Sequence, residues 1–225
     1  MKKITLAVSG LVLLAGSAFA DSTNIGAKLS YGNFDASGTE TQNLTSDPKL
    51  KSSGNADFPF ASIFLEREKE FSNLNVALGL DFIPLTAEID SLTGGGAADG
   101  TGAKVEVGNQ ITLYVQPSKE LSNGLKVFGK LGYSRMTVDI SEITRQPVTN
   151  GSGTASTDKA TSKDLDGVMV GLGIEKSVSA GPFDFIRLEA SYTDYDSISH
   201  TNSNSKKLTA DADLTAINLS IGKKF

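Results

Sequence analysis

The single histidine of the chain, His200, lies in the segment "DSISHTNSNSKK" with Asp196, Ser197 and Ser199 beside it. Serine, histidine and an acid are the parts of a nucleophilic triad. A triad is defined by preorganised geometry, however, and not by neighbourhood in sequence. A polar segment of this kind reads as an exposed loop, and its histidine as a solvated one. There is no cysteine and no second histidine, so neither a thiolate site nor a histidine-based metal site can be assembled. The glycine-rich run "TGGGAADGTG" (93–102) precedes a strand-like segment rather than a helix, which argues against a phosphate cradle. On these grounds no catalytic, cofactor-binding or metal-binding residue is assigned.

A second set of charges has a regular setting. Lys28, Glu66, Asp81, Lys126, Lys130, Glu175, Arg187, Glu189 and Lys224 all fall in segments where apolar residues recur at every second position, and all lie on the opposite face. Eight segments carry that period: 24–34, 58–67, 74–82, 107–116, 125–134, 167–176, 185–193 and 214–225. In 74–82, Leu74, Val76, Leu78, Leu80 and Phe82 stand against Asn75, Ala77, Gly79 and Asp81. Period two is the signature of a strand, and about 9–11 residues is what a tilted strand needs to cross a bilayer.

The links between these segments alternate in length. "EKEFSN" (68–73), "PSKELSNG" (117–124) and "SVSAGP" (177–182) are short, whereas 36–57 and 144–164 are long and rich in Gly, Ser, Thr, Asn and Asp. Long–short alternation puts all long loops at one rim of an up-and-down barrel, and an even strand count puts both termini at the other, periplasmic rim. The face opposite the aliphatic rows is crowded with Gly, Ser, Ala and charges. It therefore reads as a narrow lumen, with the apolar rows turned to lipid. Tyr31, Phe82, Tyr133, Tyr192 and Phe225 are candidates for the interfacial aromatic girdle. The expected fold is an all-β, eight-stranded antiparallel transmembrane barrel.

An eight-stranded lumen is just wide enough for side chains to fill it. Lys28, Glu66, Asp81, Lys130, Glu175, Arg187 and Glu189, with Lys126 and Lys224, are therefore expected to pair as an ion-pair plug, since unpaired buried charges cost several kcal/mol each. The competing expectation is a charged constriction in a narrow channel for small or apolar solutes.

The ends of the chain bear on its destination. Residues 1–20, "MKKITLAVSGLVLLAGSAFA", have a basic start, a short apolar stretch and a small-x-small ending, the pattern of a secretory signal peptide. Residues 21–225 would form the barrel domain. The net charge of −5 would become −7 on removal of Lys2 and Lys3, and no basic cluster suits nucleic acid. No cofactor is expected.

The stretches "VFGKLGYS" (127–134), "DGVMVGLGIEK" (166–176), "IRLEASYTDYD" (186–196) and "AINLSIGKKF" (216–225) resemble the small eight-stranded outer-membrane barrels of Gram-negative bacteria, the OmpA/OmpX-like group. The resemblance covers the whole of 21–225. It implies residence in outer-membrane lipid as a monomer, and a structural or surface-interaction role with an extracellular partner for the long loops. A narrow porin-like channel and, more remotely, a lipid-modifying enzyme are the alternatives. It also implies that the barrel-assembly machinery reads the last strand through Ile217, Leu219, Ile221 and Phe225. Lys223 interrupts that row at a position where the group carries an apolar residue.

Overall fold

Alternating apolar and small polar residues form strands here because each face meets a different medium. The computed structural model describes residues 21–41, 50–84, 87–89, 103–144, 157–158, 161–178, 181–201 and 207–225; the signal peptide expected over 1–20 and the glycine-rich run lie outside them. The strands are β1 (Ser22–Thr41), β2 (Leu50–Glu70), β3 (Asn75–Ile83), β4 (Ala87–Ile89), β5 (Ala103–Glu120), β6 (Leu125–Thr144), β7 (Thr157–Asp158), β8 (Thr161–Ser177), β9 (Phe185–Thr201) and β10 (Lys207–Lys224). β3 and β4 both pair with β5, and β7 and β8 both pair with β6, so the ten elements make eight staves. All pairings are antiparallel, and β1 pairs with β10 from Asn24↔Lys224 to Thr41↔Lys207, which closes the sheet. The fold is an eight-stranded antiparallel up-and-down barrel, the architecture implied by the resemblance.

The staves are longer than the alternating segments suggested. Much of what reads as long loop in 36–57 and 144–164 continues the ladder: β1 runs to Thr41, β2 begins at Leu50 and β8 at Thr161. Their outward residues there are small and polar, a water-facing surface that looks like loop in composition while its backbone still pairs. The short links shrink correspondingly. β5 reaches Glu120, and the turn Leu121–Gly124 closes with the Gly124 amide donating to the Leu121 carbonyl at 2.9 Å. Gly124 has φ +73°, a left-handed conformation that a side chain disfavours.

The outer face defines its own boundaries. On β10 the outward residues Ile221, Leu219, Ile217 and Thr215 lie between Lys223 and Asp213. On β9, Ile186, Leu188, Ala190 and Tyr192 lie between Asp184 and Asp194. On β8, Ile174, Leu172, Val170 and Val168 lie between Lys176 and Asp166. In each case the bracketing charges are ten positions apart. At ~3.3 Å per residue and a tilt of roughly 40°, that spacing gives a belt about 25 Å tall, the height of the apolar band of transmembrane barrels. Leu172 is 73 % exposed and Leu29 61 % exposed, which only a hydrocarbon surrounding stabilises. The upper boundary carries the cross-strand row Asp35, Asp213 and Asp194. The lower rim carries large exposed apolar residues in its short turns, Phe71 and Leu74 in the first, Leu121 and Phe183 in the others, together with Phe225. The protein is a transmembrane β-barrel.

Candidate functional site

The inward residues divide the lumen into two halves of opposite chemistry. The half near the short turns is charged. Arg187, on β9 and 2 % exposed, grips Glu66 of β2 bidentately, with Nη1 donating to Oε1 at 2.7 Å and Nη2 to Oε2 at 2.8 Å. Its Nε donates to Glu175 Oε2 of β8 at 2.5 Å. The Tyr114 hydroxyl of β5 donates to Glu66 Oε1 at 2.7 Å. Lys126 Nζ extends the chain, 3.4 Å from Glu175 Oε1 and 3.1 Å from Glu68 Oε1. Asn24 Nδ2 donates to both Glu66 and Glu68 at 3.2 Å. Bidentate charge-assisted bonds of this kind are the strong ones, and together they join β1, β2, β5, β6, β8 and β9 across the bore.

Two further pairs sit above. Lys130 Nζ donates to Glu189 Oε2 at 2.6 Å, and Asn218 Nδ2 donates to the other oxygen at 3.2 Å. Lys28 pairs with Asp81. Aromatic faces take up the remaining surface of the cations: Arg187 lies 4.4 Å from the Phe185 ring centroid and Lys130 4.3 Å from that of Tyr114.

Lys28, Glu66, Asp81, Lys130, Glu175, Arg187 and Glu189 are thus all brought into the lumen, each with an opposite charge beside it. Lys126 joins them. Lys224, the last inward position of β10, stands instead at the exposed rim, its ammonium 3.0 Å from Glu70 and 4.0 Å from buried Glu68. Glu68 is the member that sequence reasoning missed. It reads as part of a short link, but β2 continues to Glu70, and Glu68 points inward at 2 % exposure. Its place two residues after inward Glu66 was the available signal. Among the described residues the inventory becomes four cations (Lys28, Lys126, Lys130, Arg187) and five acids (Glu66, Glu68, Asp81, Glu175, Glu189).

The half near the long hairpins is apolar, which corrects the expectation of a lumen made of small and charged residues. Phe34, Phe60, Val107, Met136, Val138, Leu165, Tyr195, Ala212, Leu214 and Ala216 form one buried cluster there. The lumen's glycines are the counterpart of its rings. Gly79 is paired with Tyr114, Gly173 with Phe128 and Gly222 with Phe185, and a Cβ on any of these glycines would lie 2.3, 2.3 or 2.2 Å from the ring opposite. Small residues on one stave make room for aromatics on the next, the cross-strand arrangement that pins register.

At the rim, Asp21 is held below the usual carboxylate range by the bond it accepts from Lys69, at 2.8 Å, and by the Glu70 amide. His200 belongs to β9, paired with Leu208, rather than to a loop. The Ser197 hydroxyl donates to Asp211 at 2.5 Å and the Ser199 hydroxyl lies 3.5 Å from that of Thr209.

No family model matches the chain, and no curated protein matches it. Solved structures with a similar course include three surface barrels. Ail, the attachment invasion locus protein of Yersinia pestis, is 11 % identical over 90 % of this chain and 99 % of that one, with a TM-score of 0.42. The outer membrane protease OmpT of Escherichia coli is 8 % identical over 90 % and 97 %, with a TM-score of 0.49. Neisserial surface protein A is 13 % identical over 84 % and 96 %, with a TM-score of 0.29. The barrel itself rests on the chain's own closed ladder.

Proposed function

We propose that the protein is a non-enzymatic outer-membrane barrel, sealed to ions, whose work is done by the hairpins that rise above its lipid-facing belt. The observation that carries the reading is the lumen: four cations and five acids are cross-bonded between facing staves where a channel would need a path. Above the belt, the β1–β2 ladder continues from Asp35↔Asn55 to Glu40↔Leu50, a stiff platform that suits contact with an extracellular partner. The serine hydroxyls near His200 are engaged with Asp211 and Thr209, which supports a role other than hydrolysis. The outward row Ile217, Leu219, Ile221 and Phe225 is the surface we assign to recognition by the barrel-assembly machinery, through strand addition to β10 before closure. Outer-membrane lipid is the second partner, and the barrel acts as a monomer.

Purified protein refolded into planar bilayers tests the reading. It is expected to give no conductance steps, and Arg187→Gln is expected to introduce them by breaking the seal. Regular steps from the unaltered protein would assign it to the diffusion channels instead.

A further inference from the structure

The wall of the barrel has a seam. The β2–β3 ladder ends at Ile63↔Phe82, while β2 continues to Leu50 paired with β1 alone among the described residues. β4 comes alongside β2 but, among the described residues, pairs only with β5. Pro59 lies in this stretch of β2, consistent with an edge, where its missing N–H leaves no ladder bond unmade. Across the seam β5 carries a bulge between Gly108 and Ile111, with Asn109 in the left-handed region at φ 52°. Bulges turn a strand and re-aim its side chains.

Behind the seam lies a cavity of about 160 Å³. Phe34, Phe60, Met136 and Leu214, all buried, line it together with Pro59 and Ile83, which are not. Pro59 is an outward, exposed residue, so the cavity extends from the lumen through the wall. Its register partner is Tyr31, the last apolar residue of the β1 row below Asp35, so the mouth opens within the upper part of the lipid-facing belt. Among the described residues Gln110 is the one polar side chain of the lining, and its amide nitrogen is engaged with Thr112 and Ser134 at 3.3 and 3.1 Å. A smaller cavity of about 30 Å³ separates it from Lys28 and Asp81.

We infer that this cavity is a binding site for a hydrocarbon group of about one ring in size, entered sideways from the lipid through the seam. An apolar cavity of about 150 Å³ in another protein stays dry and binds benzene, so the volume and lining suit that class. The one polar side chain of the described lining has its amide nitrogen already engaged, so the lining rewards an apolar ligand; with the remaining members of the apolar cluster packed around it and the ion pairs below, the seam is the way in. The group could be a free small molecule or the end of a lipid chain.

The chain has three methionines, Met1, Met136 and Met169, and Met136 lines the cavity while Met169 lines only the smaller one beneath. Methyl-¹³C-methionine protein in nanodiscs, titrated with toluene, therefore reads the site directly. A saturable shift of Met136, much larger than that of Met169, is expected. Leu214→Phe and, independently, Val107→Phe should weaken toluene at least tenfold by filling the space, with folding checked by the gel shift on heating. A nuclear Overhauser contact from lipid-chain protons to Met136 that toluene displaces assigns the site to a lipid chain. Saturation without that contact assigns it to a free molecule, and either upholds the inference. A linear shift shared by both methyls, or a saturable one untouched by both filling variants, overturns it.

Discussion

Lys130 sits between two strands' worth of buried acid, and its ammonium is the neutralising partner of Glu189. Removing it leaves the carboxylate with the Asn218 amide as its bonded partner and only the more distant charge of Lys28. Lys130→Met is therefore expected to destabilise the folded barrel by about 3–5 kcal/mol, read as a lowered urea midpoint in vesicles. Adding Glu189→Gln should restore most of the loss, because no unpaired charge then remains. Little change in the single variant would mean that water screens Glu189, a result at odds with its 3 % exposure. Gly79 carries a different kind of constraint. The three atoms nearest to a Cβ there all belong to the Tyr114 side chain, at 2.3–2.6 Å, and that ring is held by Glu66. Gly79→Ala should cost about 1–3 kcal/mol by overpacking, measured in the same unfolding series. A neutral result would show that the ring can turn away without losing its hydroxyl contact.

At the scale of the strand, β8 shows what lipid demands. Lys176 and Asp166 bracket Ile174, Leu172, Val170 and Val168, and Leu172 falls near the middle of the belt. Leu172→Arg is expected to cost about 2–4 kcal/mol, whereas Asp194→Asn at the upper boundary should change little. Insertion yield into vesicles would rank the two, and equal yields would mean that the belt lies elsewhere on the wall. The same strand explains how much was legible before the structure. Outward rows such as this one are set by a uniform apolar medium, so alternation alone reveals them and with them the fold. The inward rows obey no uniform medium. In "FPFASIFLER" both faces of β2 carry large apolar residues, and Phe60 and Phe64 face inward because Gly32 and Gly26 of β1 leave them space. A pairing between residues of different strands cannot be seen along one strand. Lys224 and Glu68 were misplaced for a related reason, since whether a rim residue is inside the bore depends on where the neighbouring turn ends.

For the molecule as a whole, the last strand has two roles that can be separated. In the closed barrel Phe225 is 67 % exposed, and its main chain exchanges two bonds with Thr23, at 2.8 and 2.9 Å. Its ring thus contributes little to the finished wall, and removing it should lose no more than about 1–2 kcal/mol. In cells, deletion of Phe225 is expected to lower the outer-membrane level sharply, while the same variant refolds in detergent with nearly unchanged thermal stability. Equal losses in both settings would assign the residue to packing alone. The register that joins the two ends also sets an order in time. Asn24 pairs with Lys224, so the first stave must wait for nearly the entire chain before its second neighbour exists. Hydrocarbon does not tolerate the bare edge that such waiting would expose. Where no other strand covers that edge, closure and membrane entry are expected to be simultaneous, with the search for that one most distant contact as the slow step. The chain contains no tryptophan, so single reporters placed beside the β1–β10 junction and beside the β5–β6 hairpin can be compared without background. One shared rate at both would show a wall that arrives in the bilayer already whole, and an earlier hairpin would show one assembled there piece by piece.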